Sequence, residues 1–157
     1  MQVVRQTSKT AVLPYSIMIG FFAGLIWGTM RMVYGYFNFS KLDSVFMAEP
    51  FFLNQFLKSN LGWLVGLGCF VLFSIFTAMI YAWFLRTRKG PWFGLLYGAV
   101  WWMLIFVIVG PFLGWIRPIF RWDANTMIAE ACLFLVWGLF IGYSISFEFT
   151  DERDRQP

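Results

Sequence analysis

The chain has 157 residues, of which 60% are apolar, 22% aromatic and only 13% charged, and its net charge is +4. A soluble domain carries about 25% charged residues, so that class is excluded. The basic residues sit at the ends of apolar segments and form no stripe; this excludes a nucleic-acid partner and suits anionic lipid headgroups.

Residues 1–12 are short and polar, with Arg5 and Lys9. A first membrane span is predicted over 14–37. Its apolar run is too long for a signal peptide and no A-x-A site follows, so it reads as a retained helix. Pro14 suits the first helical turn, where its missing N–H does no harm. Residues 38–60 form an outer aromatic loop in which Lys41, Asp43, Glu49 and Lys58 interleave with Phe39, Phe46, Phe51, Phe52 and Phe56. Two forms fit it: a short interfacial helix from Pro50 to Lys58 with its phenylalanines toward lipid, or a loop folded over the helix ends.

The second span is predicted over 61–85. Arg86, Arg88 and Lys89 follow at once, and Gly90-Pro91 makes a tight turn. The third, 92–116, has no charge. Gly110-Pro111 near its end predicts a kink or an early stop. From Trp92 to Gly110 a helix covers roughly 28 Å, close to a full hydrocarbon core. Pro111 to Trp122 would then lie along the far interface, anchored by Trp115 and Trp122. The fourth span is predicted over 126–147, with Asp123 or Asn125 as N-cap, and 148–157 is a polar inner tail. The whole chain, 1–157, thus reads as one membrane domain of the all-α integral class with four transmembrane helices.

Threading follows from the basic residues. With the N-terminus inside, the inner segments hold Arg5, Lys9, Arg86, Arg88, Lys89, Arg153 and Arg155, and the outer ones Lys41, Lys58, Arg117 and Arg121. The short basic turn between spans two and three weighs most, so the expected topology is N-in and C-in.

Each span carries glycines four apart: Gly20, Gly24 and Gly28; Gly62 and Gly66; Gly94 and Gly98; Gly138 and Gly142. On a helix this spacing clears a groove on one face, and in lipid such GxxxG grooves let helix backbones approach. Packing within the chain is the first expectation; a homodimer face on the three stacked glycines of span one is the alternative. Trp101, Trp102 and Trp137, mid-span, read as bulky partners beside the grooves.

Few polar residues lie inside the spans. Glu130 falls about one turn inside span four, where an ionisable group needs a partner or a wet cavity. Arg31 has a comparable depth on span one, and an Arg31–Glu130 pair is the expectation; Arg117 and Arg121 are rival partners, and contact with interfacial water or a proton- or cation-relay role stays open. Glu148 is placed to pair with Arg86 or Arg88 at the inner rim. Cys69 and Cys132 read as reduced, buried residues filling helix contacts. There is no histidine and no CxxC, so a zinc site on the usual spacings is excluded and no cofactor is implied.

The run Arg88-Lys89-Gly90-Pro91-Trp92-Phe93-Gly94-Leu95-Leu96-Tyr97-Gly98, then Trp101-Trp102, Val109-Gly110-Pro111 and the segment from Glu130 to Phe147, resembles the conserved membrane protein YqhR family of Bacillus and relatives. The resemblance covers most of the chain and implies a four-span protein of the bacterial plasma membrane. It brings no catalytic residues. Three function classes are open: a non-enzymatic scaffold or partner-binding component of the cell envelope; a small transporter, channel or lipid-handling protein using Glu130 and Arg31 with Ser74, Thr77, Ser144 and Ser146; and, with least support, an intramembrane enzyme. The partners expected are membrane lipid and a membrane protein or a second copy of the chain.

Overall fold

In a computed structural model, residues 11–37, 62–85, 88, 90–114, 116 and 121–154 are described, with side chains to residue 149. The aromatic loop of residues 38–60, Arg86, Lys89, Trp115, Arg117 and the extreme termini lie outside them. Among the described residues there is no strand. Four long helices follow one another: α1 (Val12–Tyr36), α2 (Gly62–Phe84), α3 (Pro91–Phe112) and α4 (Ala124–Asp154). Each is long and apolar enough to cross a bilayer. At about 1.5 Å per residue, even the 22-residue α3 reaches roughly 33 Å, against a hydrocarbon core of about 30 Å.

Local sequence sets the helix ends. Pro91 occupies the first position of α3, and Gly90 before it has φ 112°, a left-handed conformation that a side chain would strain. Of the two expected caps for the fourth helix, Asp123 stands at the boundary, and its carbonyl accepts the Met127 N–H at 3.1 Å. The apolar part of α4 ends at Phe149, and the helix continues through the polar residues to Asp154. Glu148 to Asp154 contains no Gly or Pro, so nothing breaks the helix where its composition turns polar.

The third helix stops early, at Phe112, as Gly110-Pro111 leads one to expect, four residues before the outer bound of 116. Pro111 has no N–H for the Val107 carbonyl, and its ring crowds that carbonyl. The backbone responds upstream: Leu104–Val109 widens to a π-helix, and the Gly110 N–H donates to Ile105. One turn later Gly114, at φ 72°, ends the helix. The chain then folds back, so that the Ile116 N–H donates to Gly110 at 3.4 Å and Ile116 is buried. Trp122 follows it inward onto Phe106, ring centroids 5.2 Å apart.

Two antiparallel pairs make the architecture. In the first, α1 lies on α2. A Cβ on Gly20 would come within 2.6 Å of the Ile75 Cα, one on Gly24 within 2.6 Å of the Val71 Cα, and one on Gly28 within 2.5 Å of the Leu67 side chain. The three-glycine face of α1 is therefore occupied by α2 of the same chain, and a dimer through that face would have to displace it. In the second pair, α3 lies on α4 with glycines on both sides. A Cβ on Gly94 would meet the Gly138 carbonyl at 2.9 Å, one on Gly142 the Gly94 Cα at 2.5 Å, and ones on Gly98 and Gly138 would strike the backbones of Phe134 and Gly98. Gly62 and Gly66 are buried positions of α2.

The burial pattern is the reverse of a water-soluble bundle. Ser16, Arg31, Ser74, Thr77, Thr126, Glu130 and Ser146 are buried, while Leu72, Phe76, Trp83, Trp92 and Phe112 are among many large apolar residues left exposed. Water would not tolerate that arrangement, and lipid requires it.

A methyl group at a backbone contact must push two helices apart, whereas one in open space costs nothing. Gly98→Ala is expected to lower unfolding free energy by about 1–3 kcal/mol, and Gly68→Ala, whose added Cβ would have no neighbour within 4 Å, to stay within about 0.5 kcal/mol of the parent. Thermal or denaturant unfolding in mixed micelles measures both.

Candidate functional site

The side chains that carry charge inside the bundle come together where the two pairs meet. Arg31, in the last third of α1, directs its guanidinium at Glu130, near the start of α4, with Nη1 2.5 Å from Oε2. The side chains are 4% and 0% exposed. A lone carboxylate in this setting would be very costly; a guanidinium in hydrogen-bond contact offsets that cost and orients both groups. One turn before Arg31, Trp27 packs on Phe140 of α4 at 5.1 Å, which holds the same two helices together further along. Of the rival partners for Glu130, Arg121 is exposed.

Next to the pair lies an aromatic layer. Along α4, Glu130, Phe134, Trp137, Ile141 and Ile145 follow at three- and four-residue steps, all with no exposure, so they form one inward stripe. Phe134 meets Phe70 of α2 edge-on at 6.3 Å and Phe106 of α3 at 5.4 Å. These rings fill the bundle one turn from the carboxylate.

Past the rings runs a polar seam. Trp137 Nε1 donates to Ser74 Oγ at 3.0 Å, and its ring stacks on Phe73 at 5.7 Å. The Thr77 hydroxyl turns back to the Phe73 and Ser74 carbonyls, while the Thr77 carbonyl accepts from the Tyr97 hydroxyl at 2.6 Å. The Tyr81 and Ser146 hydroxyls share a hydrogen bond of 3.1 Å. Tyr15 on α1 donates to the Ser144 carbonyl at 3.4 Å and meets Phe149 edge-on. α2 thereby holds α3 and α4 through these polar groups, and α1 through Leu67, Val71 and Ile75 set against the α1 glycines.

The full-length comparison agrees with this picture. Residues 2–157 match the family described as Conserved membrane protein YqhR. A curated relative, the Uncharacterized protein YqhR of Bacillus subtilis (strain 168), is 33% identical over 132 residues, covering 84% of this chain and 74% of the relative. The chain belongs to the YqhR family of conserved membrane proteins. No solved structure matches it.

In this YqhR-family chain the sequence-derived site residues are placed unequally. Arg31 and Glu130 stand face to face. Ser74 receives Trp137, Thr77 bonds within its own helix, and Ser146 meets Tyr81. Tyr81, Tyr97 and Trp137 were missed as polar partners. Their signal was a hydrogen-bonding tip on a ring placed mid-span, away from the interfaces where Tyr and Trp concentrate. The cysteines need a correction, because neither fills a buried helix contact. Cys132 is exposed and Cys69 half-buried, and both are free thiols; Cys132 falls on the outer face of α4, next to the stripe instead of on it. Among the described residues no three His, Cys, Asp or Glu side chains gather to hold a metal.

Breaking the ion pair from one side should cost more than removing it whole. Arg31→Met takes the guanidinium away from the buried Glu130 carboxylate, and is expected to lower stability by about 3–5 kcal/mol. Adding Glu130→Leu should recover most of that loss. A double-mutant cycle on unfolding in mixed micelles gives the coupling directly, and purely additive effects would refute the pairing.

Proposed function

We propose that this YqhR-family protein is a non-enzymatic structural or partner-binding component of the cell envelope. The observation that carries this is the pairing of its two buried charges among the described residues with each other. Glu130 and Arg31 touch each other, and the Phe134, Phe70 and Phe106 rings lie between them and the Ser74–Trp137 hydrogen bond of the seam. A conducting route needs water or a chain of exchangeable groups across that gap. The polar groups of the seam support the same reading, because they are spent on one another across helix contacts.

The rival function, a small transporter, channel or lipid-handling protein working through Glu130 and Arg31, makes the opposite demand. Proteoliposomes carrying the full chain and a pH-sensitive dye should collapse an imposed proton gradient no faster than empty vesicles. A protein-dependent flux that Glu130→Gln abolishes would overturn the scaffold reading. Crosslinking in native membranes should capture a specific membrane protein; recovery of lipid alone counts against a partner.

The scaffold reading includes the N-in, C-in threading, which rests on Arg86, Arg88 and Lys89 in the short turn between α2 and α3. A reporter that is active only in the cytoplasm, fused after Pro157, should be active. The same reporter inserted in the 38–60 loop should be silent.

A further inference from the structure

At one end of the α1–α2 pair an apolar groove of about 580 Å³ lies between the first turn of α1 and the last two turns of α2. Leu13 and Ser16 of α1 line it with Phe76, Met79, Ile80 and Trp83 of α2. Ser16 adds little polarity, because its hydroxyl donates back to the Val12 and Leu13 carbonyls. All six residues lie within spans, so the groove opens to hydrocarbon and not to water.

A groove at that depth is filled by acyl chain, and the end it faces tells which lipid. α2 closes at Phe84, and the next five residues include Arg86, Arg88 and Lys89. Arg88 is tied to the helix end, its N–H donating to the Leu85 carbonyl at 2.9 Å, and its exposed side chain stands over the Phe93 ring at 6.0 Å. The acidic side chain described at this end, Glu148 of α4, lies beside Tyr15 of α1 and is not among the groove-lining residues. Apolar volume below a cationic turn is complementary to a lipid with an anionic headgroup, since each basic side chain near the surface attracts it.

We propose that the α1–α2 groove is a binding site for one anionic phospholipid, with an acyl chain against Met79 and Ile80 and the phosphate toward Arg88. The proposal needs only the membrane placement of the helices and is independent of the scaffold reading.

Native mass spectrometry of the full chain, in micelles doped equally with phosphatidylglycerol and phosphatidylcholine of matched chains, tests it. The parent should retain one phosphatidylglycerol, favoured over phosphatidylcholine by about fivefold or more. Met79→Trp should fill the groove and remove the adduct. Leu64→Trp, an equally bulky change at an exposed site elsewhere on α2, should keep it. Arg88→Gln should bring the two lipids to near parity while an adduct persists. Equal retention of both lipids by the parent, no adduct at all, or an undiminished adduct in Met79→Trp would overturn the proposal. Circular dichroism of each variant separates loss of lipid from loss of fold.

Discussion

Everything else in this molecule depends on backbone meeting backbone between α3 and α4. Lipid tails are as apolar as leucine, so the helices gain nothing from hiding greasy surface from their surroundings. They gain from close packing, and at Gly94, Gly98, Gly138 and Gly142 there is no side chain to hold them apart. α1 and α2 use a one-sided version of the contact, glycine against Ile75, Val71 and Leu67. With the two pairs held this way, the groups that join them can be few, large and specific: one ion pair, a layer of rings and a short series of hydrogen bonds.

That division of labour explains where polarity goes. Buried polar groups in a bilayer must be satisfied by protein, because no water reaches them. Here Trp137, Ser74, Thr77, Tyr97, Tyr81 and Ser146 answer one another across the seam between pairs, where side chains face each other; Ser74 also borders Gly20 and Gly24, and Tyr81 borders Gly142. The Arg31–Glu130 pair fixes α1 against α4 at one depth. A one-residue slide along either helix would rotate one partner away and leave a buried charge exposed to hydrocarbon, so the pair sets register more than it adds net stability.

The four spans were legible in the sequence because their signal is local: twenty or more apolar residues, bounded by Pro91, by the cations after Leu85 and by Asp123. The glycine spacing was equally visible, but the sequence could not say which groove faced which. The α3 and α4 glycines lie across from each other, whereas Gly20, Gly24 and Gly28 face branched residues and not Gly62 and Gly66. Arg31 and Glu130 are 99 residues apart, and only their depth linked them. The shortening of α3 was half legible. Pro111 announced a disturbance, but the fold-back depends on Gly114 adopting a left-handed turn and on Ile116 finding cover against Gly110, both tertiary facts. Cys132 was misread because composition cannot say which side of a uniformly apolar helix faces lipid.

The most direct test of the backbone contact is a magnetisation-transfer measurement by solid-state NMR on the full chain in bilayers, with only the glycine Cα carbons labelled. Direct cross-peaks between Gly98 and Gly138 and between Gly94 and Gly142 are the expected result. Spectra in which these glycines correlate only with neighbours on their own helix, or with lipid acyl carbons, would contradict the account.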